Sequence, residues 1–253
     1  MGTFYEPFIG GGAVFLALAS QRPRPFRRAV LADRNRQLVD LWSAVQQEVE
    51  AVVAALGELA KRPLDASNYY SLRDLDPSCM SRPQAAARLL YLNRTCYNGL
   101  YRVNRSGKFN VPYGRYRRPR ILDADNLRAV SRALQHARVL HADFEGVVAR
   151  ARPGSVVYFD PPYAPISATA RFTSYDAQPF GEAEQARLAS LFRGLRGRGV
   201  YALLSNSRVP ETEKLYRDLP RDVVTARRAI NSRSDRRGPV EELLIRTAGA
   251  VPR

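Results

Sequence analysis

Asp160-Pro161-Pro162-Tyr163 closes the apolar run Ser155 to Phe159 and combines groups that suit chemistry on an exocyclic amine. Such an amine, conjugated to an aromatic base, is a poor nucleophile because its lone pair is spread into the ring. A carboxylate and a backbone carbonyl that accept its two N–H protons draw the nitrogen toward tetrahedral geometry and free the lone pair for attack. Asp160 supplies the first acceptor. Two consecutive prolines fix φ and carry no N–H, so the carbonyl of Pro161 is left out of regular secondary structure. Tyr163 offers an aromatic face on which an extracted base can stack. The same tetrapeptide also fits an ordinary strand-terminating turn.

A second constellation lies upstream. Thr3 to Ile9 reads as a short aromatic strand, Gly10-Gly11-Gly12 as a turn, and Ala13 to Leu16 as the start of an apolar helix. Glycines between strand and helix let the backbone approach a ligand where a Cβ would clash, although a tight turn alone needs the same residues. Ala29 to Ala32 then reads as a second strand ending in Asp33. An acid at that place, roughly 20 residues past a glycine turn, is where a Rossmann-like sheet binds the ribose hydroxyls of a nucleoside cofactor.

With these two segments in this order, the chain resembles the Dam-type (D12 class) site-specific DNA adenine-N6 methyltransferases over nearly its whole length. Further blocks carry the likeness: Leu92 to Arg102, Gly107 to Gly114, Ala164 to Ser167, Phe172 to Tyr175, and Leu204-Ser205-Asn206. The resemblance implies methyl transfer from S-adenosyl-L-methionine to N6 of adenine in double-stranded DNA, at GATC, after the base is rotated out of the helix. Asp160, Pro161, Pro162 and Tyr163 would be catalytic, without metal or covalent intermediate. Glu6, Phe8, Gly10, Gly12, Asp33, Asp143, Phe144 and Asp160 would hold the cofactor. Contacts to DNA would come from Arg94, Asn98, Arg102, Asn104, Arg105, Ser106, Lys108, Asn110, Pro112, Arg115 and Tyr116, with Val103 to Ser106 setting the recognition sequence. A bacterial or phage-encoded, cytoplasmic monomer serving DNA methylation, as in restriction-modification, completes the expectation.

Family members begin further upstream, with a Trp-Ala-Gly-Gly-Lys-like segment whose tryptophan and lysine help hold the cofactor. Either the true start lies upstream of Met1, or the chain is a rival case, a DNA-binding relative with weakened or lost catalysis. A third is transfer to another amine: cytosine N4, adenine in RNA, or a glutamine side chain. Asp rather than Asn at position 160 favours adenine in DNA.

Composition agrees with a polyanionic partner. Forty Lys and Arg against 24 Asp and Glu give a formal charge of +16 and a pI near 10.5. Seven of these cations fall between Tyr101 and Arg120 with no acid among them, interleaved with Tyr101, Phe109, Tyr113 and Tyr116. That is the composition of a β-hairpin laid against nucleic acid, and also of a solvated basic loop. Arg227, Arg228, Arg233, Arg236 and Arg237 form a second basic cluster, open to the same two readings. Cys79 and Cys96 suggest neither a disulfide framework nor a metal site, and His136 and His141 suit packing or surface roles. No apolar run of about 18 residues and no signal-like start is present.

The elements needed to position these groups alternate. Strands are expected at Tyr5 to Ile9, Ala29 to Ala32, Arg138 to His141, Val156 to Phe159, Val200 to Leu204, Val223 to Ala226 and Glu242 to Ile245. Helices are expected at Ala13 to Ala19, Asn35 to Leu56, Glu182 to Leu195 and Glu211 to Arg217. Alternation implies an α/β, Rossmann-like, mostly parallel sheet with helices on both faces and ligands beyond the carboxyl ends of its strands. Residues 57–135 break the rhythm with helical stretches at Ala85 to Leu92 and Asp125 to Leu134 around the basic hairpin. They read as an inserted, largely helical target-recognition domain, leaving 1–56 and 136–253 as the catalytic domain. Trp42 is placed in a core.

Overall fold

The computed structural model describes residues 2–104, 106–164, 180–227 and 239–247. In chain order its strands are β1 Thr3–Glu6, β2 Arg28–Asp33, β3 Ala137–His141, β4 Val156–Phe159, β5 Tyr201–Ser207, β6 Arg221–Arg227 and β7 Pro239–Arg246. Its helices are α1 Ala13–Ala19, α2 Arg36–Gln47, α3 Val49–Ala60, α4 Ala66–Asp74, α5 Arg82–Thr95, α6 Ala124–Leu134, α7 Phe144–Val148, α8 Glu182–Gly197 and α9 Pro210–Leu215. The described residues divide into two compact units: 2–33, 142–164, 180–227 and 239–247 in the first, 34–104 and 106–141 in the second.

In the first unit, six strands run in the order β2-β1-β4-β5-β7-β6. β1 lies parallel between β2 and β4, β4 is parallel to β5, and β7 returns antiparallel to both β5 and β6. This is the expected mostly parallel α/β sheet, closed at one edge by an antiparallel pair. Leu31, Val157, Phe159, Ala202 and Leu204 are fully buried, as strands covered by helices require. α8 presents Leu188, Ala189, Phe192 and Leu195 as a buried stripe at helical spacing and packs on β5. From β1 the chain goes to β2 on one side, while β4 lies on the other. The crevice at the carboxyl ends of β1 and β4 is therefore a topological switch point, where open sheets receive ligands.

β1 differs from its expectation of Tyr5 to Ile9. It ends at Glu6 because Pro7 has no N–H to offer a neighbouring strand. Ile9 then donates to the Ala32 carbonyl at 2.9 Å as the chain enters the glycine turn. The shift places Glu6 at the carboxyl tip of the strand.

The second unit is largely helical. α2, α4, α5 and α6 start at side-chain caps: Asn35 accepts from Gln37 and Leu38, Asp65 from Asn68, Asp123 from Asn126, and Ser81 and Gln84 form a reciprocal capping box. The single helix expected from Asn35 to Leu56 is two, broken at Glu48 (φ −137°, ψ 36°). Gln46 explains the break, since its amide donates to the carbonyls of Leu134 and Ala137 and pins the end of α2. α2 and α3 bury Val39, Trp42, Val45, Val52 and Leu56 and pack against α5 and α6. They therefore cluster with the second unit, which runs from 34 to 141 where the sequence suggested 57 to 135. α4 had no counterpart in the sequence reading. Instead of a long hairpin from Tyr101 to Arg120, the chain forms two isolated antiparallel bridges, Val103 with Phe109 and Cys96 with Tyr113.

Candidate active site

Asp160 follows the last residue of β4, and a chain of hydroxyls orients it. Ser205 Oγ, on the neighbouring β5, lies 2.8 Å from Asp160 Oδ1 and donates to it. A hydroxyl has one proton, so the Tyr158 hydroxyl 3.1 Å away donates to Ser205 in turn. The Asp160 side chain is open to solvent on one side and backed by dense protein on the other. That backing raises its pKa, against the pull of the Ser205 hydroxyl. Burial also pushes Tyr158 up to about 12 and raises Tyr163, whose hydroxyl donates to Glu242 Oε2 on β7 at 3.2 Å.

The two carbonyls of the double proline have different surroundings. Gln185 Nε2, from α8, donates to the Pro162 carbonyl at 3.0 Å. Pro161 is a buried residue, and among the described residues none donates to its carbonyl. Asn206 holds the far side of the loop, its Oδ1 accepting the Ala164 N–H at 3.0 Å.

Glu6 lies at the tip of β1, beside β4, and is 2% exposed. A hydrogen bond from the Phe15 backbone reaches its carboxyl, while Oε2 is buried with no partner among the described residues. Desolvation, opposed by Phe15 and assisted by the charge of Asp160, carries its pKa from 4.5 to about 8. A buried carboxyl with one oxygen unmatched suits a cationic group arriving at the crevice.

Beyond Glu6 comes the glycine turn. Gly10 (φ 45°) and Gly12 (φ 68°) adopt left-handed conformations, and a Cβ at Gly10 or Gly11 would meet no atom within 4 Å. The Gly10 N–H donates to Asp33 Oδ2 at 3.1 Å, so Asp33 braces the turn from the end of β2. Phe8 stacks on Phe144 at 5.5 Å and meets Phe180 edge-on. Phe144 is 1% exposed and covered by the Arg187 guanidinium at 4.3 Å. Asp143 caps α7 through Oδ1 and pairs with Arg187 through Oδ2. In this structure Asp143 and Phe144 are thus engaged in capping and packing.

The crevice brings together Glu6, Asp160 and Tyr163, next to an open glycine turn, in a sheet that ends in a polar rim. The D12 class N6 adenine-specific DNA methyltransferase family matches residues 1–230. The chain belongs to this family. It is 38% identical to a type II methyltransferase of Lactococcus lactis subsp. cremoris, over 97% of this chain and 86% of that protein. A type II methyltransferase of Methanocaldococcus jannaschii is 39% identical over 96% and 87%, and the DNA adenine methylase of Escherichia coli (strain K12) 39% over 94% and 84%. The protein is an adenine-N6 DNA methyltransferase.

In the second unit of this D12-class enzyme, several residues expected at DNA hold one another. Asn104 Oδ1 accepts from the Ser106 N–H, the Ser106 hydroxyl and the Lys108 N–H, which folds the tight turn of the bridged segment. Arg102 donates to the side chain of Asn110 at 2.7 Å and to its carbonyl at 3.0 Å. Arg94, Pro112, Arg115 and Tyr116 are exposed, with Asn98 (φ 55°) and Arg115 (φ 56°) in left-handed conformations. Arg105, the blocks Pro165 to Ser167 and Phe172 to Tyr175, and the second basic cluster from Arg228 to Arg237 lie outside the described residues.

Gln185, Ser205, Tyr158 and Glu242 had no role in the sequence reading. Two signals were present. Gln185 is a polar residue on the apolar stripe of α8, three, four and seven positions before Leu188, Ala189 and Phe192. Ser205-Asn206-Ser207 is a buried polar run at the carboxyl end of an otherwise apolar strand.

Proposed function

We propose that the enzyme transfers the methyl group of S-adenosyl-L-methionine to N6 of an adenine that has been rotated out of double-stranded DNA. The observation that carries this reading is the pairing of Asp160, held by Ser205, with the unclaimed carbonyl of Pro161 in one turn. Those two acceptors take the two N–H protons of the exocyclic amine, localising its lone pair on nitrogen. Asp160 is the stronger acceptor, and its raised pKa suits it to hold the proton that the amine sheds. Tyr163 stacks on the base, and extraction from the duplex costs roughly a few kcal/mol.

The residues at the crevice fit the proposed donor. An open glycine turn braced by Asp33 admits the nucleoside side, and the unmatched oxygen of buried Glu6 suits a cation. Bound there, S-adenosylmethionine would supply an electrophilic methyl on a positively charged sulfur. Phe8 walls the site, with Phe144 supporting it from behind.

Residues 34–141 form the target-recognition domain in this reading, and GATC is the proposed site. Exposed Arg94, Lys108 and Arg115 hold phosphates, while the turn from Val103 to Ser106 faces the bases; the enzyme works as a cytoplasmic monomer. No described helix is long and apolar enough to cross a membrane.

Incubating the protein with S-adenosylmethionine and duplexes containing or lacking GATC, followed by mass spectrometry of nucleosides, tests each part. N6-methyladenine in the GATC duplex alone is expected. N4-methylcytosine would replace the base assignment, and tight DNA binding with no methylated product at saturating cofactor would favour a binding protein.

A further inference from the structure

The double proline leaves the catalytic turn short of donors. Pro161 and Pro162 have no N–H, so the backbone from Asp160 to Ala164 cannot be tied down by a ladder of its own. Two buried amides replace that ladder. Gln185 Nε2 donates to the Pro162 carbonyl at 3.0 Å, Asn206 Nδ2 donates to Gln185 Oε1 at 3.1 Å, and Asn206 Oδ1 accepts the Ala164 N–H at 3.0 Å. The chain thus leaves the turn at residue 162 and returns to it at 164. Gln185 is 6% and Asn206 0% exposed.

The backbone ends dictate how both amides point. A carbonyl only accepts, so the NH₂ of Gln185 must face Pro162 and its oxygen must face Asn206. The Ala164 N–H only donates, so the oxygen of Asn206 must face it, leaving the Asn206 NH₂ for Gln185. No link can be reversed without setting like against like.

We propose that Gln185 is a positioning residue for methyl transfer: by claiming the Pro162 carbonyl, in an orientation held by Asn206, it leaves the carbonyl of Pro161 to the incoming amine. The inference rests on the reading that Asp160 and Pro161 accept the amine's protons. Gln185 touches neither DNA nor cofactor in this scheme. Its loss lets the turn rotate, and a misplacement of about 1 Å at a reacting centre costs on the order of a hundredfold in rate.

The test compares wild type with Gln185→Met, which keeps the length and loses both hydrogen bonds, and Gln185→Glu. The carboxylate of Gln185→Glu only accepts and repels the Pro162 carbonyl. Once protonated, it donates to Pro162 and still accepts from Asn206, as the native amide does. Burial raises the pH at which that happens above the ordinary carboxylate range. For both variants kcat is expected to fall roughly 10- to 100-fold at about pH 8, with unchanged KM for DNA and unchanged calorimetric affinity for S-adenosylmethionine. The ratio of Gln185→Glu to wild-type kcat should climb as pH falls, while the Gln185→Met ratio stays flat. That recovery separates positioning from general support of the fold.

Wild-type kcat in Gln185→Met overturns the proposal, as does a loss carried by KM or cofactor affinity, or a flat pH ratio for Gln185→Glu. Should Gln185→Glu fail to give a cooperative melt, kcat of Gln185→Met decides alone. Asp160→Ala is assayed in parallel. Its retained turnover would remove the underlying reading, whereas inactive Asp160→Ala beside unimpaired Gln185→Met removes only the role of Gln185.

Discussion

Ser205 donates to Oδ1 of Asp160 at 2.8 Å, and the sheet itself arranges that contact. β4 and β5 are parallel with Phe159 paired to Leu204, so one further step along both strands sets Asp160 beside Ser205. An exposed aspartate would otherwise sample several rotamers. The Tyr158–Ser205–Asp160 relay removes that freedom before substrate arrives, which is the preorganisation that electrostatic catalysis needs.

Removing the carboxylate is the direct test of this arrangement. Asp160→Ala is expected to lower kcat by at least ~10²–10³-fold, because a preorganised acceptor at a reacting centre contributes on that scale. Salt-sensitive DNA binding should persist, since phosphate contacts come from other residues. Transfer of labelled methyl groups and gel-shift titrations at several salt concentrations measure the two effects separately. Methylation at the wild-type rate would remove Asp160 from the mechanism.

Ser205→Ala tests the relay rather than the acid. The Ser205 hydroxyl lowers the pKa of Asp160, against the larger raising effect of burial. Without it the folded-state pKa rises further, and the carboxylate is protonated at higher pH. The acid limb of kcat/KM should therefore move upward in Ser205→Ala, with the alkaline side unchanged. A pH–rate profile superimposable on wild type would show that Ser205 does not govern Asp160.

Much of this site is legible in the sequence, because motifs report backbone requirements. Gly10 to Gly12 form the turn into α1, Asp33 and Asp160 stand at the ends of β2 and β4 as their types implied, and β4 matches its expected span from Val156 to Phe159. What escaped the sequence depends on partners distant along the chain. Gln185 meets Pro162 across 23 positions and Ser205 meets Asp160 across 45, so local pattern says nothing of either. The split between α2 and α3 hangs on Gln46, whose partners lie 88 and 91 residues away. α4 was missed because Asn68, Tyr69, Tyr70 and Ser71 are indifferent helix formers, and tertiary packing of Tyr69 and Leu72 decides the matter.

Glu6 makes stability depend on pH in a defined direction. Its folded pKa of about 8 lies above the ordinary 4.5, so between those values the folded protein keeps a proton that the unfolded chain releases. Stability from this group is thus greatest below the lower value and declines as pH rises toward the upper one. Glu6→Gln keeps the shape without the ionisation. It should flatten the decline, and at about pH 9 it should be more stable than wild type, by up to ~5 kcal/mol. Urea unfolding across that range measures the difference; parallel curves for the two proteins would mean that Glu6 titrates normally.

Arg102 and Arg115 look alike in sequence, and the structure separates them. Arg102 is half-buried and spends its guanidinium on Asn110, spanning the bridged segment between Val103 and Phe109. Arg115 is exposed, and among the described residues no acid pairs with it. Arg115→Ala should leave the melting temperature unchanged and weaken binding to all DNA sequences alike, lowering the slope of log K against log salt by about one. Arg102→Ala should lower the melting temperature, since it strands the Asn110 acceptors and loosens the turn that presents Asn104 to Lys108. Its DNA affinity should fall with little change in salt slope. Equal salt slopes for Arg115→Ala and wild type would take Arg115 off the phosphate backbone, and an unaltered melt for Arg102→Ala would show that the segment holds its shape without that guanidinium.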